Sequence, residues 1–203
     1  MPKEPGLRHG PLGANCVHLC VDMQRLFSEK TDWNTPWMVR VLPNIRRIVE
    51  AHPGETIFTR FIPLRRAGDG RGTWRRYYEH WSSMTLESLG ERMVDLVPDL
   101  AAFAPPAEIV DKTVYSPWLD DALDCRLAAR GTDTLIVTGG ETDVCVLGTV
   151  LGGVDRGYRI VVVTDALCSS TDETHDASMG VYRNRYGQQV ETVETEEVLA
   201  AWT

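Results

Sequence analysis

The sequence predicts an α/β fold: a mainly parallel β-sheet wrapped by helices. Two observations carry this reading. Short apolar runs alternate with helix-period stretches along most of the 203 residues, the pattern of strands joined by right-handed helical crossovers. The runs at 55–61, 133–138 and 159–164 are also rich in β-branched residues and almost continuously apolar, as strands buried on both faces are.

In chain order, strands are predicted at 15–21 (NCVHLCV), 55–61 (ETIFTRF), 107–111 (AEIVD), 133–138 (DTLIVT) and 159–164 (RIVVVT), with a weaker sixth at 188–193 (QQVETV). Helices fall between them at 36–51, 117–130, 142–156, 174–185 and 194–201. Ser116 before Pro117 reads as an N-cap followed by proline at the first helical position. Gly131 and Gly157 stand where C-caps belong. Gly148, Gly152 and Gly153 weaken the 142–156 helix by about 1 kcal/mol each against alanine, and close packing on the sheet is the expected compensation.

Residues 63–106 interrupt the alternation. The stretch GTWRRYYEHWSSMT spaces Trp74, Tyr77, Tyr78 and Trp81 at roughly helical intervals. So long an excursion is either a short helix packed on the body or a pocket wall or lid. No linker or repeat divides the chain, so residues 1–203 are expected to form one domain carrying this excursion.

Composition excludes several classes. With 43% hydrophobic and 25% charged residues, the chain is an ordinary globular protein. A net charge of −8, from 21 basic and 29 acidic residues, argues against a nucleic-acid surface, which needs a basic face. The basic stretch from Arg60 to Arg76 is a solvated loop or a set of arginines facing an anionic substrate. No run of 18 apolar residues exists, so no membrane span is expected. An odd number of cysteines, five, and the lack of an apolar leader point to a reducing cytoplasm. Cys16 and Cys20 are not a C-x-x-C pair and no second ligand pair follows, so they read as buried cysteines of a central strand.

Ligands of open parallel sheets bind at the carboxyl ends of the strands. The first strand leads to Asp22, the third to Lys112, and the fourth to TGGETDVC with Cys145. Singly, Asp22 could cap a helix, Lys112 could be solvated and Cys145 could fill the core. Together they bring a carboxylate, an ammonium and a thiol to one sheet edge, the set a thiol nucleophile requires. With Thr142 as N-cap, Cys145 takes the third helical position. There the helix dipole lowers a thiol pKa below its usual ~8.5, and free N–H groups face a developing oxyanion.

VDMQRLF, the DK ending the third strand with YSPW behind it, and GGETDVCV followed by GYRIVVVTDA resemble the isochorismatase-like cysteine hydrolases over about residues 15–185. The resemblance implies a three-layer α/β/α fold with a six-stranded parallel sheet in Rossmann-like order 3-2-1-4-5-6. It implies a small-molecule substrate, no cofactor, and a homo-oligomer, dimer or tetramer. It makes Asp22 the general base, Lys112 the electrostatic partner and Cys145 the nucleophile. A cis peptide is expected between Gly140 and Glu141, and an oxyanion hole from the N–H groups of Glu141 and Cys145. Phe27 and Tyr115 match pocket positions of nicotinamidase-type members; Phe61 and Trp81 are further pocket candidates.

Nicotinamidases of that family carry an Asp-x-His metal motif after the second strand. Thr59-Arg60-Phe61-Ile62-Pro63 stands there instead, and His80 and His175 are isolated. No catalytic metal is therefore expected, and the two histidines read as surface or capping residues. Glu141 departs from the small or apolar residues usual at its position. The expected activity is metal-independent hydrolysis of a small amide-type C–N bond through a thioester. The alternatives are an isochorismatase-type vinyl-ether hydrolase, which needs no thiol, and a catalytically silent binding protein of the same fold. A nucleotide-binding Rossmann domain is disfavoured, because no G-x-G-x-x-G follows the first strand.

Overall fold

Alternate residues of each strand part to opposite faces of a six-stranded sheet, and helices close both faces. The computed structural model describes residues 6–203; residues 1–5, on which the expectation of no leader partly rests, lie outside it. The strands are β1 (Cys16–Val21), β2 (Thr56–Phe61), β3 (Glu108–Lys112), β4 (Thr134–Gly140), β5 (Arg159–Cys168) and β6 (Val190–Val193). All pair in parallel, in the order β3-β2-β1-β4-β5-β6. The helices are α1 (Arg25–Ser28), α2 (Met38–Ala51), α3 (Thr73–His80), α4 (Leu86–Leu89), α5 (Pro98–Ala101), α6 (Ala122–Ala129), α7 (Cys145–Asp155), α8 (Asp172–Asn184) and α9 (Thr195–Ala201).

The period-2 alternation of the strands sorts the core. Cys20, Phe58, Ile136 and Val161 pack with Ile45 and Ile48 of α2. Leu19, Ile57, Leu135, Val137 and Val162 pack on the other side with Leu123 of α6, Val146 and Val150 of α7, and Met179 of α8. The result is a three-layer α/β/α fold with β1 at its centre.

A polar residue stands in that central strand. His18 is fully buried, and threonines of both neighbouring strands satisfy its ring. Nδ1 lies 3.2 Å from Thr56 Oγ1 and Nε2 lies 2.7 Å from Thr138 Oγ1. Burial without a counter-charge lowers the imidazole pKa to about 3, so the ring is neutral.

Three boundaries differ from expectation by three residues or more, each for a local reason. β5 continues to Cys168, because a bulge between Val137 and Gly139 shifts the register and pairs Gly139 with Leu167 and Gly140 with Cys168. Gly139 makes this possible: it takes φ +104, and a Cβ there would lie 2.1 Å from Val21 O. The helix expected from Pro117 starts only at Ala122. Residues 116–121 instead seat Trp118 against α7, where its indole N–H donates to Thr149 O at 2.9 Å. Gly152 leaves room for that ring, since a Cβ would meet Trp118 Cδ1 at 2.1 Å. The helix expected from Thr142 starts at Cys145, as described below.

The 63–106 excursion folds as short helices, α3 to α5, joined by 3₁₀ turns. Gln24, buried just beyond β1, ties it down. Its Nε2 donates to Phe61 O at 3.0 Å and Val94 O at 2.8 Å, and its Oε1 accepts from Phe61 N–H at 2.7 Å. The strand order reverses between β1 and β4, so the crevice for a ligand opens at their carboxyl ends.

Candidate active site

Three strands deliver the three chemical groups named from sequence. Asp22 follows β1 directly and takes φ +49, a left-handed conformation that aspartate tolerates better than bulkier residues. Lys112 ends β3, and Cys145 opens α7. Lys112 Nζ donates to Asp22 Oδ2 at 2.7 Å, to Cys145 Sγ at 3.3 Å and to Val114 O at 3.2 Å. None of the three residues is more than 5% exposed. From β2, between β1 and β3, Thr59 Oγ1 donates to Asp22 Oδ1 at 2.7 Å. The Phe61 ring lies 5.1 Å from Nζ, within cation–π range.

The turn carrying the thiol is built differently from the expected cap. Thr142 Oγ1 donates to Cys168 O at 3.1 Å and meets His175 Nδ1 at 2.9 Å, while Tyr182 Oη donates to Thr142 O at 3.1 Å. Thr142 thus pins the turn to β5 and α8 rather than capping α7. Val144 is the N-cap, without a side-chain cap bond, and Cys145 is the first helical residue, not the third. Glu141 O accepts from both Val144 and Val146 N–H. The peptide between Gly140 and Glu141 is cis. His175 is buried in this network, which corrects its reading as a surface or capping histidine; His80 is exposed against the Trp81 ring.

The electrostatics revise one expectation. Burial is the largest influence on the Cys145 thiol and pushes its pKa up; Lys112 opposes this, and Asp22 reinforces it as a charge and as a hydrogen-bond acceptor. Burial and Asp22 thus favour the protonated thiol over the thiolate that a helix terminus alone would favour. Burial also pulls the Lys112 ammonium down, but Asp22 first and then Cys145 outweigh it and leave its pKa raised.

A cavity of about 260 Å³ reaches Cys145. Phe27, Phe61, Trp81 and Tyr115 all line it, as does Glu141. Sequence reasoning missed Asp32 and Trp33, and noted Tyr77 only as part of an aromatic helix face; all three line the same cavity. Asp32 and Trp33 follow α1 at the carboxyl edge of β1, a placement that marks them as wall candidates once the strand is known. No arginine lines the cavity. Arg60 pairs with Asp111, and Arg65 and Arg66 form exposed bridges with Glu91 and Glu87, so this stretch faces solvent.

The end of β2 does not fit a metal site: Arg60 is ion-paired and Phe61 covers Lys112. Among the described residues no group of three His, Cys, Asp or Glu is placed to hold a metal ion, and no helix is long and apolar enough to cross a membrane.

Fold and site together define a three-layer α/β/α protein with a buried carboxylate, ammonium and thiol at the carboxyl edge of its sheet. Residues 16–195 match the family model described as the Isochorismatase domain, and the chain belongs to the isochorismatase family. It is 28% identical over 161 residues to the isochorismatase family protein YwoC of Bacillus subtilis, covering 76% of this chain and 81% of that protein. It is 34% identical over 86 residues to the family protein PncA of the same organism, 42% of this chain, and spans about half, 47%, of that relative. A cysteine hydrolase from Pseudomonas syringae superposes with TM-score 0.82 at 25% identity, over 100% of both chains. N-carbamoylsarcosine amidase from Thermoplasma acidophilum shares the fold with TM-score 0.71 at 20% identity, over 89% of this chain and 96% of that one.

Proposed function

We propose that the protein hydrolyses a C–N bond of a small amide-type substrate, with Cys145 as nucleophile and a thioester as intermediate. The observation that carries this reading is Lys112 Nζ, which donates to both the Asp22 carboxylate and the Cys145 sulfur beside an aromatic cavity. A stretch of 84 residues is also 37% identical to a ureidoacrylate amidohydrolase of Methylobacterium radiotolerans, covering 40% of this chain and 33% of that enzyme.

Asp22 takes the thiol proton as sulfur attacks the carbonyl carbon, and Lys112 stays protonated and balances the charge. The N–H groups of Glu141 and Cys145 hold the tetrahedral oxyanion. Asp22 then gives its proton to the departing nitrogen as the C–N bond breaks. Water attacks the thioester, Asp22 receives its proton and returns it to sulfur, and an acid leaves. The resting thiol is protonated, so proton transfer and attack are coupled.

Ammonia release from a panel of small amides, ureas and carbamoyl compounds tests this. The expected result is turnover of at least one compound by the native protein and none above background by Cys145→Ala. Turnover by Cys145→Ala at the native rate removes the covalent mechanism.

A further inference from the structure

The charges of the cavity are unbalanced. Two carboxylates, Asp32 and Glu141, line it, and no lysine, arginine or histidine does. The nearby cation, Lys112, is already committed to Asp22 at 2.7 Å. Each lining carboxylate is anchored: Glu141 Oε1 accepts from Ser170 N–H at 3.2 Å, and Asp32 Oδ2 accepts from Ser83 Oγ. The Ser170 side chain also hydrogen-bonds Glu141, but neither carboxylate is ion-paired with a lysine or arginine among the described residues.

The rest of the wall is aromatic. Trp33 lies 5.9 Å from Phe61, 5.8 Å from Tyr77 and 6.5 Å from Trp81, centroid to centroid. Ring faces attract cations and offer anions nothing. The arginines that an anionic substrate would need all lie elsewhere.

We propose that this cavity selects substrates bearing a cationic nitrogen, a protonated amine or an amidinium, with Glu141 and Asp32 facing the charge and Trp33, Tyr77 and Trp81 walling it. The scissile carbonyl lies at Cys145, so the cationic group stands a short distance from it; this clause alone rests on the hydrolase reading. The cavity volume of about 260 Å³ equals that of roughly nine waters, which limits the occupant to a small molecule. Burial raises the pKa of the Glu141 carboxyl, and a bound cation supplies the counter-charge that this carboxylate otherwise lacks.

Equilibrium binding of three probes of matched size tests the inference without turnover: benzamidine, benzyl alcohol and benzoate, followed by calorimetry and tryptophan fluorescence on the full chain. Benzamidine is expected to bind at least tenfold tighter than benzyl alcohol, with benzoate weakest. Glu141→Gln is expected to weaken benzamidine at least fivefold while leaving benzyl alcohol unchanged. Asp32→Asn, at an exposed position, provides the same readout where Glu141→Gln fails to fold. Benzoate binding as tightly as benzamidine overturns the proposal, as does a benzamidine affinity within twofold of native in both variants. Selective benzamidine binding by a protein that cleaves no amide sinks the hydrolase reading and leaves this one standing. Cleavage of neutral amides without benzamidine selectivity does the reverse.

Discussion

Lys112 Nζ lies 2.7 Å from Asp22 Oδ2, and both side chains are almost wholly removed from water. Each charge is tolerated because the other is present. Asp22→Asn therefore leaves a buried ammonium without its carboxylate, a loss that costs up to about 3–5 kcal/mol. In urea melts the double variant Asp22→Asn/Lys112→Met is expected to recover most of that loss. Hydrolysis is expected to fall by about 10²–10⁴ in Asp22→Asn, the usual worth of a positioned base, and to stay low in the double variant. Recovery of activity together with stability would assign Asp22 a purely structural role.

The charge around sulfur predicts its chemical reactivity. Burial and Asp22 hold the Cys145 thiol up, so its alkylation by iodoacetamide is expected to be slow at neutral pH and to climb through pH 9 without a plateau. Cys125, which is exposed, is first replaced by serine to remove its background. Asp22→Asn frees Lys112 to pair with the thiolate, so this hydrolytically impaired variant is expected to alkylate several-fold faster than native at pH 7.5. A native plateau below pH 7 contradicts the protonated resting state.

His18 makes the fold sensitive to acid. Its pKa falls from an ordinary 6.5 to about 3 in the fold. Between those values the unfolded chain binds more protons. Its contribution is therefore intact above about pH 6.5 and drains away toward pH 3, a loss of order 5 kcal/mol. Urea midpoints at pH 7.5, 5.5 and 4 should follow this slope, and His18→Gln should flatten it. An unchanged slope in that variant shifts the acid sensitivity to other groups.

Two glycines of one helix separate propensity from packing. A Cβ at Gly148 would sit 3.5 Å from its nearest neighbour, ordinary contact, whereas one at Gly152 would sit 2.1 Å from the Trp118 ring. Gly148→Ala is expected to be neutral or to stabilise by up to about 1 kcal/mol. Gly152→Ala is expected to destabilise by about 1–3 kcal/mol through overpacking. Thermal melts of the two variants settle the contrast; equal shifts contradict it.

The strands were legible because burial on both faces leaves a nearly unbroken apolar record, and the sheet-edge residues Asp22 and Lys112 followed from where those records end. The geometry at Thr142 was not legible. A threonine three residues before Cys145 looks like a cap, but its hydroxyl is claimed by Cys168 O and His175, partners distant in the chain. Pro117 misled for a related reason: the burial of Trp118 overrides a local helix signal. Asp32 and Trp33 escaped notice because a wall residue carries no periodic signature of its own. The thiol's raised pKa was equally hidden, since a helix end is visible in sequence and desolvation is not.

Gln24 holds both the strand end at Phe61 and the distant Val94 through one amide. The two roots of the intervening stretch are thereby stapled to the element that carries Asp22. Chain inserted, deleted or exchanged between those roots can reshape the aromatic wall while the reacting groups keep their places. The molecule is in this sense modular: a swap of residues 64–93 from a relative is a route to new selectivity that leaves the chemistry where it stands.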